Sequence, residues 1–477
     1  MKIEKQWDGV EHQSPNPKIE IFTKGNPKTP DITCLPDPKA EWAKLLSYTF
    51  TESTEDLEGA FSFSVENEEL KNKGKSAFDM IPVRSIVKIY EGNQEEAAFI
   101  GIIRHRELGK AMTSQGIKRS IVFSGKSIIS CIAEYTVSLD VRIQDVADNM
   151  SLNNELTDKL AEDGLTIQKF MKETWEHFKK VSEGKKKVIT TAGIADVISK
   201  FIGDDPDKFI KVTGKGQTLR YNVACIFYNA ANNVIADVWR NILPDRVYEF
   251  FSRCEKGEPK IIARQVPFGD PDNGYGDWSD LPLYVISPVS LTAYNLKQSD
   301  EEVYTAFASY IVGSAMERNF YMAVSQTGDD SIVKHDDKKR GIYGFKPLEL
   351  NFYGYDRQGN AKDEKKSDLT EALKELNKTA HYWYSRLDEM YSGSLTVITD
   401  FNEPKNNPKA GCRAGFIGGE FYINKTDHSW NYGGTPTINL TVSRGMVYDN
   451  SGKMKDGEDG VIKNVGSRFR ELEKENG

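Results

Sequence analysis

Hydrophobic and polar positions change their period twice along this chain. From residue 19 to residue 133 they read as strands: Ile86–Tyr90 and residues 98–103 and 120–124 are short runs rich in Val, Ile, Phe and Tyr. Glu91, Gly92 and Asn93 mark a turn between the first two runs. Ile121 and Phe123 alternate with Ser120, Val122 and Ser124, as in a strand with one buried face. These pieces predict an antiparallel barrel or sandwich.

Between residues 141 and 313 the period becomes helical. The clearest helix is predicted over residues 223–243, where Phe227, Ala231, Val234, Val238, Trp239 and Ile242 recur mostly at three- and four-residue steps. Pro244 closes it, because proline lacks the amide and clashes with the preceding turn. Residues 154–161, 167–181 and 195–202 carry similar spacing between polar and glycine breaks. Residues 356–367, DRQGNAKDEKKS, read as an exposed linker into a helix over residues 369–390.

Strands return over residues 392–449. In residues 436–443, PTINLTVS, Ile438, Leu440 and Val442 alternate strictly with Thr437, Asn439, Thr441 and Ser443, so one face is dry and the other wet. Residues 394–399 and 421–424 supply further strands. The prediction is an α+β multidomain chain in which two β modules flank a helical insertion.

At 477 residues the chain is long enough for two to four domains, each with its own core. No stretch approaches the roughly 18 consecutive apolar residues of a membrane span. The start, MKIEKQWDGVEHQ, lacks the apolar core of a signal peptide, so synthesis and assembly are expected in the cytoplasm, with no membrane insertion. Cys34, Cys131, Cys225, Cys254 and Cys412 are scattered and form no CxxC pair, which argues for buried thiols over a disulfide framework or zinc site. A net charge of −8 argues against nucleic-acid binding, and the basic run around Lys179, Lys180 and residues 184–187 reads as a solvated helix end.

Candidate chemistry is sparse. Six histidines, His12, His105, His177, His335, His381 and His428, make no HExxH, and no GxSxG elbow is present. His428 beside Trp430 fits a packing or hydrogen-bonding role better than a catalytic base. The SxxK pattern occurs at residues 85–88, 182–185 and 331–334 without the SDN or KTG that accompany it in β-lactamase-like enzymes. Gly214, Lys215 and Gly216 lack the rest of a phosphate loop. Residues 270–280, DPDNGYGDWSD, fail as a calcium loop because Gly274 takes the fifth place and no Glu closes it. The 71 acidic residues leave a paired-carboxylate glycosidase open, since sequence spacing does not test the distance such a pair needs. No catalytic, cofactor or metal residue is assigned.

Three blocks give the chain a family likeness. Residues 83–104, VRSIVKIYEGNQEEAAFIGIIR, pair two strands and end in an F-x-G at Phe99 and Gly101. Residues 235–268 run from a helix to a strand ending near Arg264, Pro267 and Phe268. Residues 419–448 hold a FYI strand, then His428, Ser429 and Trp430, then a turn and a last strand ending in Arg444 and Gly445. In this order and spacing the chain resembles the late-control-D family of baseplate hub proteins from contractile phage tails, phage-tail bacteriocins and contractile injection systems. The resemblance covers about three quarters of the chain, with residues 150–212 and those after 461 least covered.

The resemblance implies two tube-like antiparallel β-barrel modules and a homotrimer. Three chains would then join a hexameric tail tube protein to a trimeric central spike protein, with tape-measure and baseplate wedge proteins as further neighbours. The implied location is the tail baseplate of the particle. The expected division is an extension over 1–18, a first barrel over 19–140, a helix-rich middle over 141–282, a connecting segment over 283–368, a helix with the second barrel over 369–450, and a tail over 451–477. Part of residues 283–350 is expected to complete the first barrel. No enzyme activity and no cofactor are expected. The alternatives are a tail-associated murein hydrolase and a receptor- or carbohydrate-binding tail protein, the latter favoured by 21 Tyr and 7 Trp.

Overall fold

The computed structural model describes residues 16–23, 27–37, 43–67, 69–70, 74–92, 95–113, 116–133, 167–184, 200–203, 205–213, 235–243, 246–268, 278–312, 333–353, 366–400, 406–449, 455 and 457–476. Strands β1 (Lys18–Phe22), β2 (Ile32–Cys34), β3 (Leu45–Ser53) and β4 (Asp56–Glu66) come first. A short pair, β5 (Glu69–Leu70) and β6 (Lys75–Ser76), leads into the one-turn helix α1 (Ala77–Met80), closed at its start by a Ser76–Asp79 capping box. Then follow β7 (Ile86–Tyr90), β8 (Phe99–Thr113), β9 (Gly116–Ser127) and the single turn α2 (Ser130–Ala133). Apart from β5 and β6, these strands pair in the order β3-β4-β9-β8-β7-β1-β2.

Alternation dictates which face is dry. In β4, Phe61, Phe63 and Val65 are buried while Ser62 and Ser64 stay half-buried on the other side. Phe50, Phe61, Phe63, Phe99 and Phe123 share one core, and each buried ring contributes roughly 1.5 to 3 kcal/mol. Gly101 of the F-x-G block clears space for one of these rings: a Cβ there would lie 2.4 Å from Cε1 of Phe61.

The middle of the chain contains α3 (Ile167–Gly184), α4 (Pro206–Phe209), β10 (Ile210–Thr213) and α5 (Ile235–Ile242). The hairpin β11 (Tyr248–Glu255) and β12 (Glu258–Gln265) completes it, with β10 parallel to β12. Helices are therefore interleaved with a three-stranded sheet that helical spacing alone did not reveal. Trp175 and Trp239 are fully buried in a core shared with Ile86, Ile100 and Ile102 of the first module, and Trp239 Nε1 donates to Thr174 Oγ1 at 2.6 Å. Residues 154–161, 223–234 and most of 195–202, expected to be helical, lie outside the described residues, as do 270–277 and 356–365.

Next come β13 (Leu283–Val285), β14 (Leu291–Lys297), β15 (Ala306–Val312), β16 (Lys334–His335), α6 (Asp337–Tyr343), β17 (Pro347–Tyr353) and α7 (Lys366–Tyr384). The chain then forms β18 (Tyr391–Ile398), β19 (Arg413–Phe416), β20 (Gly419–Asn431), β21 (Thr437–Met446) and α8 (Val465–Asn476). Among the described residues no strand of the segment 283–350, expected to help complete the first module, pairs with that module. β13 pairs with β19 and β14 pairs with β18, both in the second module, while β15, β16 and β17 form a separate sheet against α7. Apolar side chains of this segment decide the matter: Ile286, Leu291, Tyr294 and Leu296 pack on the core of Leu395, Val397, Leu440 and Val442.

The two modules meet edge to edge. The second half of β20 pairs antiparallel with β3, from Lys425 opposite Ser53 to Asn431 opposite Ser47. One largely antiparallel sheet therefore runs through both modules, in the order β14-β18-β21-β20-β3-β4-β9-β8-β7-β1-β2. Among the described residues that path stays open between β14 and β2. The fold is a β-rich α+β architecture.

Candidate functional site: a hydroxyl face backed by a buried polar seam

Cross-strand register turns the alternation of single strands into continuous rows. One row crosses seven strands as Ile398, Thr437, Ser429, Thr49, Ser62, Ser124 and His105. The row beside it reads Val397, Ile438, His428, Phe50, Phe61 and Gly125. A sheet whose strands all alternate in phase must present one wet face and one dry face. The wet face carries short hydroxyl and amide side chains that bond one another across strands and across the module junction. Thr51 Oγ1 donates to Asp427 Oδ1 at 2.8 Å, Ser47 and Ser64 hydroxyls lie 2.6 Å apart, and Thr396 Oγ1 donates to Asn439 Oδ1 at 3.2 Å.

Behind the junction, on the dry side, lies a polar seam. His428 stacks on Phe50 at a ring distance of 4.2 Å, and its Nδ1 is 2.8 Å from Glu91 Oε1. Asn407 Nδ2 donates to the other Glu91 oxygen at 3.3 Å, and the Tyr48 hydroxyl approaches Oε1 at 3.4 Å. Next to it, Glu52 accepts the Cys254 backbone N–H at 2.7 Å, and Lys409 Nζ donates to the Cys254 carbonyl at 2.8 Å. Burial holds the Glu52 carboxyl above its ordinary range, partly offset by Lys409, the Cys254 amide, His428 and Arg253.

The seam continues to the hairpin β11–β12. Arg264 donates to Glu249 at 2.8 Å, to the Gly411 carbonyl at 2.7 Å and to the Tyr422 hydroxyl at 2.8 Å. Burial works against its charge, but Tyr422 and Glu249 outweigh that and hold the guanidinium above its ordinary value. Arg253 bonds Glu255 at 2.9 Å through Nε and the Ala410 carbonyl at 2.7 Å. Residues 406–412 thus form a loop pinned by the first module, the second module and the middle hairpin together. A planar guanidinium with several fixed donors suits such a three-way joint.

This geometry supports joining over chemistry. His428 and Glu91 form a carboxylate–imidazole pair, but their side chains are 5% and 2% exposed, so no substrate reaches them. Ser85 of the first SxxK donates to the Pro82 carbonyl at 2.7 Å, and Lys88 lies over the Phe22 ring. Residues 331–332, 185 and 214–216 lie outside the described residues, as do His12 and Cys225. Cys34, Cys131, Cys254 and Cys412 are free thiols, and burial pushes Cys34 and Cys254 up to about 12. Among the described residues no three His, Cys, Asp or Glu side chains gather as a metal site, and no helix is long and apolar enough to cross a membrane.

Sequence reading singled out His428 but missed Glu52, Glu91, Arg253, Arg264 and Asn407. A local signal existed for one of them: Glu52 takes the dry-face position after Tyr48 and Phe50, where an acid needs a buried partner.

No protein-family model matches the chain, and no curated protein matches it. Among solved structures it is similar to a tail protein from Neisseria meningitidis, at 10% identity over 90% of this chain and 96% of that one, with a TM-score of 0.47. It is similar also to the 43 kDa tail protein of prophage MuSo2 from Shewanella oneidensis, at 10% identity over 91% and 98% of the two chains, with a TM-score of 0.45. A component of the type VI secretion system of E. coli, itself described as similar to T4 bacteriophage tail proteins, matches at 8% identity over 87% and 76%, with a TM-score of 0.38.

Proposed function

We propose that this chain is the structural baseplate hub of a contractile tail or injection machine, a homotrimeric adapter between a hexameric tail tube and a trimeric central spike. The carrying observation is the continuous run β14-β18-β21-β20-β3-β4-β9-β8, dry behind and hydroxyl-lined in front, which spans both modules. A face of mostly short polar side chains, its charges paired as Lys425–Asp427 and Lys126–Glu58, suits the wall of a channel. The run also has a free margin at each end. Among the described residues β14 pairs only with β18, and β8 beyond Ile103 pairs only with β9. Unpaired strand edges need partners, and closure into a ring removes them.

Three copies of two modules give six tube-like positions, and heterologous contacts close such a ring. In this reading residues 19–140 and 369–450, the latter completed by β13 and β14, are the two tube-like barrels. The middle, 141–282, sits on the periphery of the ring or on its spike side, and the buried seam holds the two barrels at a fixed angle. The resemblance in residues 83–104, 235–268 and 419–448 supports the same assignment. The chain works in the tail baseplate and has no catalytic role.

Copy number and symmetry within the assembled baseplate test the proposal. Three copies on the axis are expected. Six copies, one copy, or a place on outer fibres refutes it. Zymography against several cell walls tests the absence of catalysis: a cleared band lost on neutralising one acidic residue would replace the hub with a murein hydrolase.

A further inference from the structure

The β8–β9 hairpin is longer than the sheet behind it. β4 makes its last pairing at Glu66 with Ser120, yet β8 and β9 stay paired out to Thr113 and Gly116. The result is a two-stranded finger. On its dry-face side, Leu108 is 55% exposed, and Lys110 stands directly opposite Arg119. Like charges facing each other across a ladder destabilise it. Neither cation is in an ion pair among the described residues, so the finger carries a contact waiting for an acid and an apolar surface.

A matching corner lies elsewhere on the same chain. The turn Pro288–Ser290 exposes Val289 at 67%, and Val285 beside it is 47% exposed. Val285 lines a cavity of about 600 Å³ whose wall also includes Pro288, Phe416 and Ile417, with Arg468 and Glu471 of α8. β14, the free margin of the sheet, begins at Leu291, two residues beyond Val289.

We infer that the β8–β9 finger of one copy seats on this corner of the next, with Leu108 against Val285 and Val289 and the Lys110–Arg119 pair facing Glu471. The inference rests on the ring proposed above and names the contact that locks it. Continuity carries the argument: a ring that sets the free margin of β8 beside β14 brings the finger to the start of β14. Glu471 supplies the acid for the two cations, since its neighbour Arg468 is already turned onto the Ile417 carbonyl. The cations leave the sheet on the side opposite the hydroxyl face, so a nucleic acid in the channel would not meet them.

The full chain carrying Leu108→Cys together with Val289→Cys, gently oxidised, tests this contact. Non-reducing gels and mass spectrometry should give a ladder ending at three copies, bridged between positions 108 and 289, that neither single variant gives. Lys110→Glu with Arg119→Glu should slow trapping about tenfold, and Glu471→Lys in the same chain should restore it. An amine cross-linker applied to the unaltered chain counts copies independently. Three-copy species without the 108–289 bridge would overturn the inference and leave the ring standing. No three-copy species and no bridge would remove both. Retention of a labelled DNA duplex that the charge reversal abolishes, without any bridge, would reassign the cations to nucleic acid and overturn the inference.

Discussion

His428→Ala is the most direct probe of the seam between the modules. The substitution removes a ring stacked at 4.2 Å on Phe50 and takes from Glu91 its shortest contact, at 2.8 Å. Asn407 at 3.3 Å and the Tyr48 hydroxyl at 3.4 Å also approach that carboxylate, both at the long end for hydrogen bonds. Removing a buried hydrogen-bond partner costs about 1 to 3 kcal/mol. Both partners can instead be replaced by apolar residues of similar size at little cost, so Glu91→Met with His428→Leu should recover most of the loss. Global unfolding is a poor assay in a chain with several cores, since a two-state analysis fails there. Amide hydrogen exchange in β3 and β20 reports the junction itself, where Thr51 faces Asp427 and Thr49 faces Ser429. The single variant should speed exchange there by about one to two orders of magnitude, the equivalent of that free energy. Strands β15 and β17, outside the joint, should change little. A single variant costing under about 1 kcal/mol, the scale of an exposed pair, would refute this view of the seam, as would a double variant no better than the single.

Glu52 supplies a pH test whose sign follows from its raised carboxyl. The folded chain holds that proton more tightly than the unfolded chain, so its stabilising contribution is full below the ordinary value of 4.5 and is lost as pH rises through the raised one. Glu52→Gln should flatten that part of the stability–pH curve and gain relative to the unaltered chain toward neutrality; equal slopes in denaturant titrations would contradict it. Gly125→Ala should cost more than Gly101→Ala in melting temperature, since its Cβ would lie 2.0 Å from the Ile102 carbonyl oxygen rather than 2.4 Å from a ring edge that can shift. Cys34, Cys254 and Cys412 should resist iodoacetamide in the native chain and react on unfolding, followed by mass spectrometry; rapid native labelling of Cys254 would show the hairpin β11–β12 to open readily.

The sequence by itself determined the parts whose signal is local. Strict alternation over residues 436–443 and the Ile86–Tyr90 run placed strands where β21 and β7 are found, because a strand with one dry face writes its period into consecutive residues. The helix expected over residues 369–390 is found at Lys366–Tyr384, and the strand end near Arg264, which the family resemblance implied, is the end of β12. The edge-to-edge joining of two sheets was not legible, since β3 and β20 meet across more than 370 residues and any wet–dry strand could have taken either place. Nor was the membership of β13 and β14, three- and seven-residue strands whose pattern states that they have a partner without naming it. The seam was the least visible. Glu52, Glu91, Arg264 and His428 are ordinary residues in sequence, and only the tertiary structure removes water from all of them at once, which turns scattered charges into a joint.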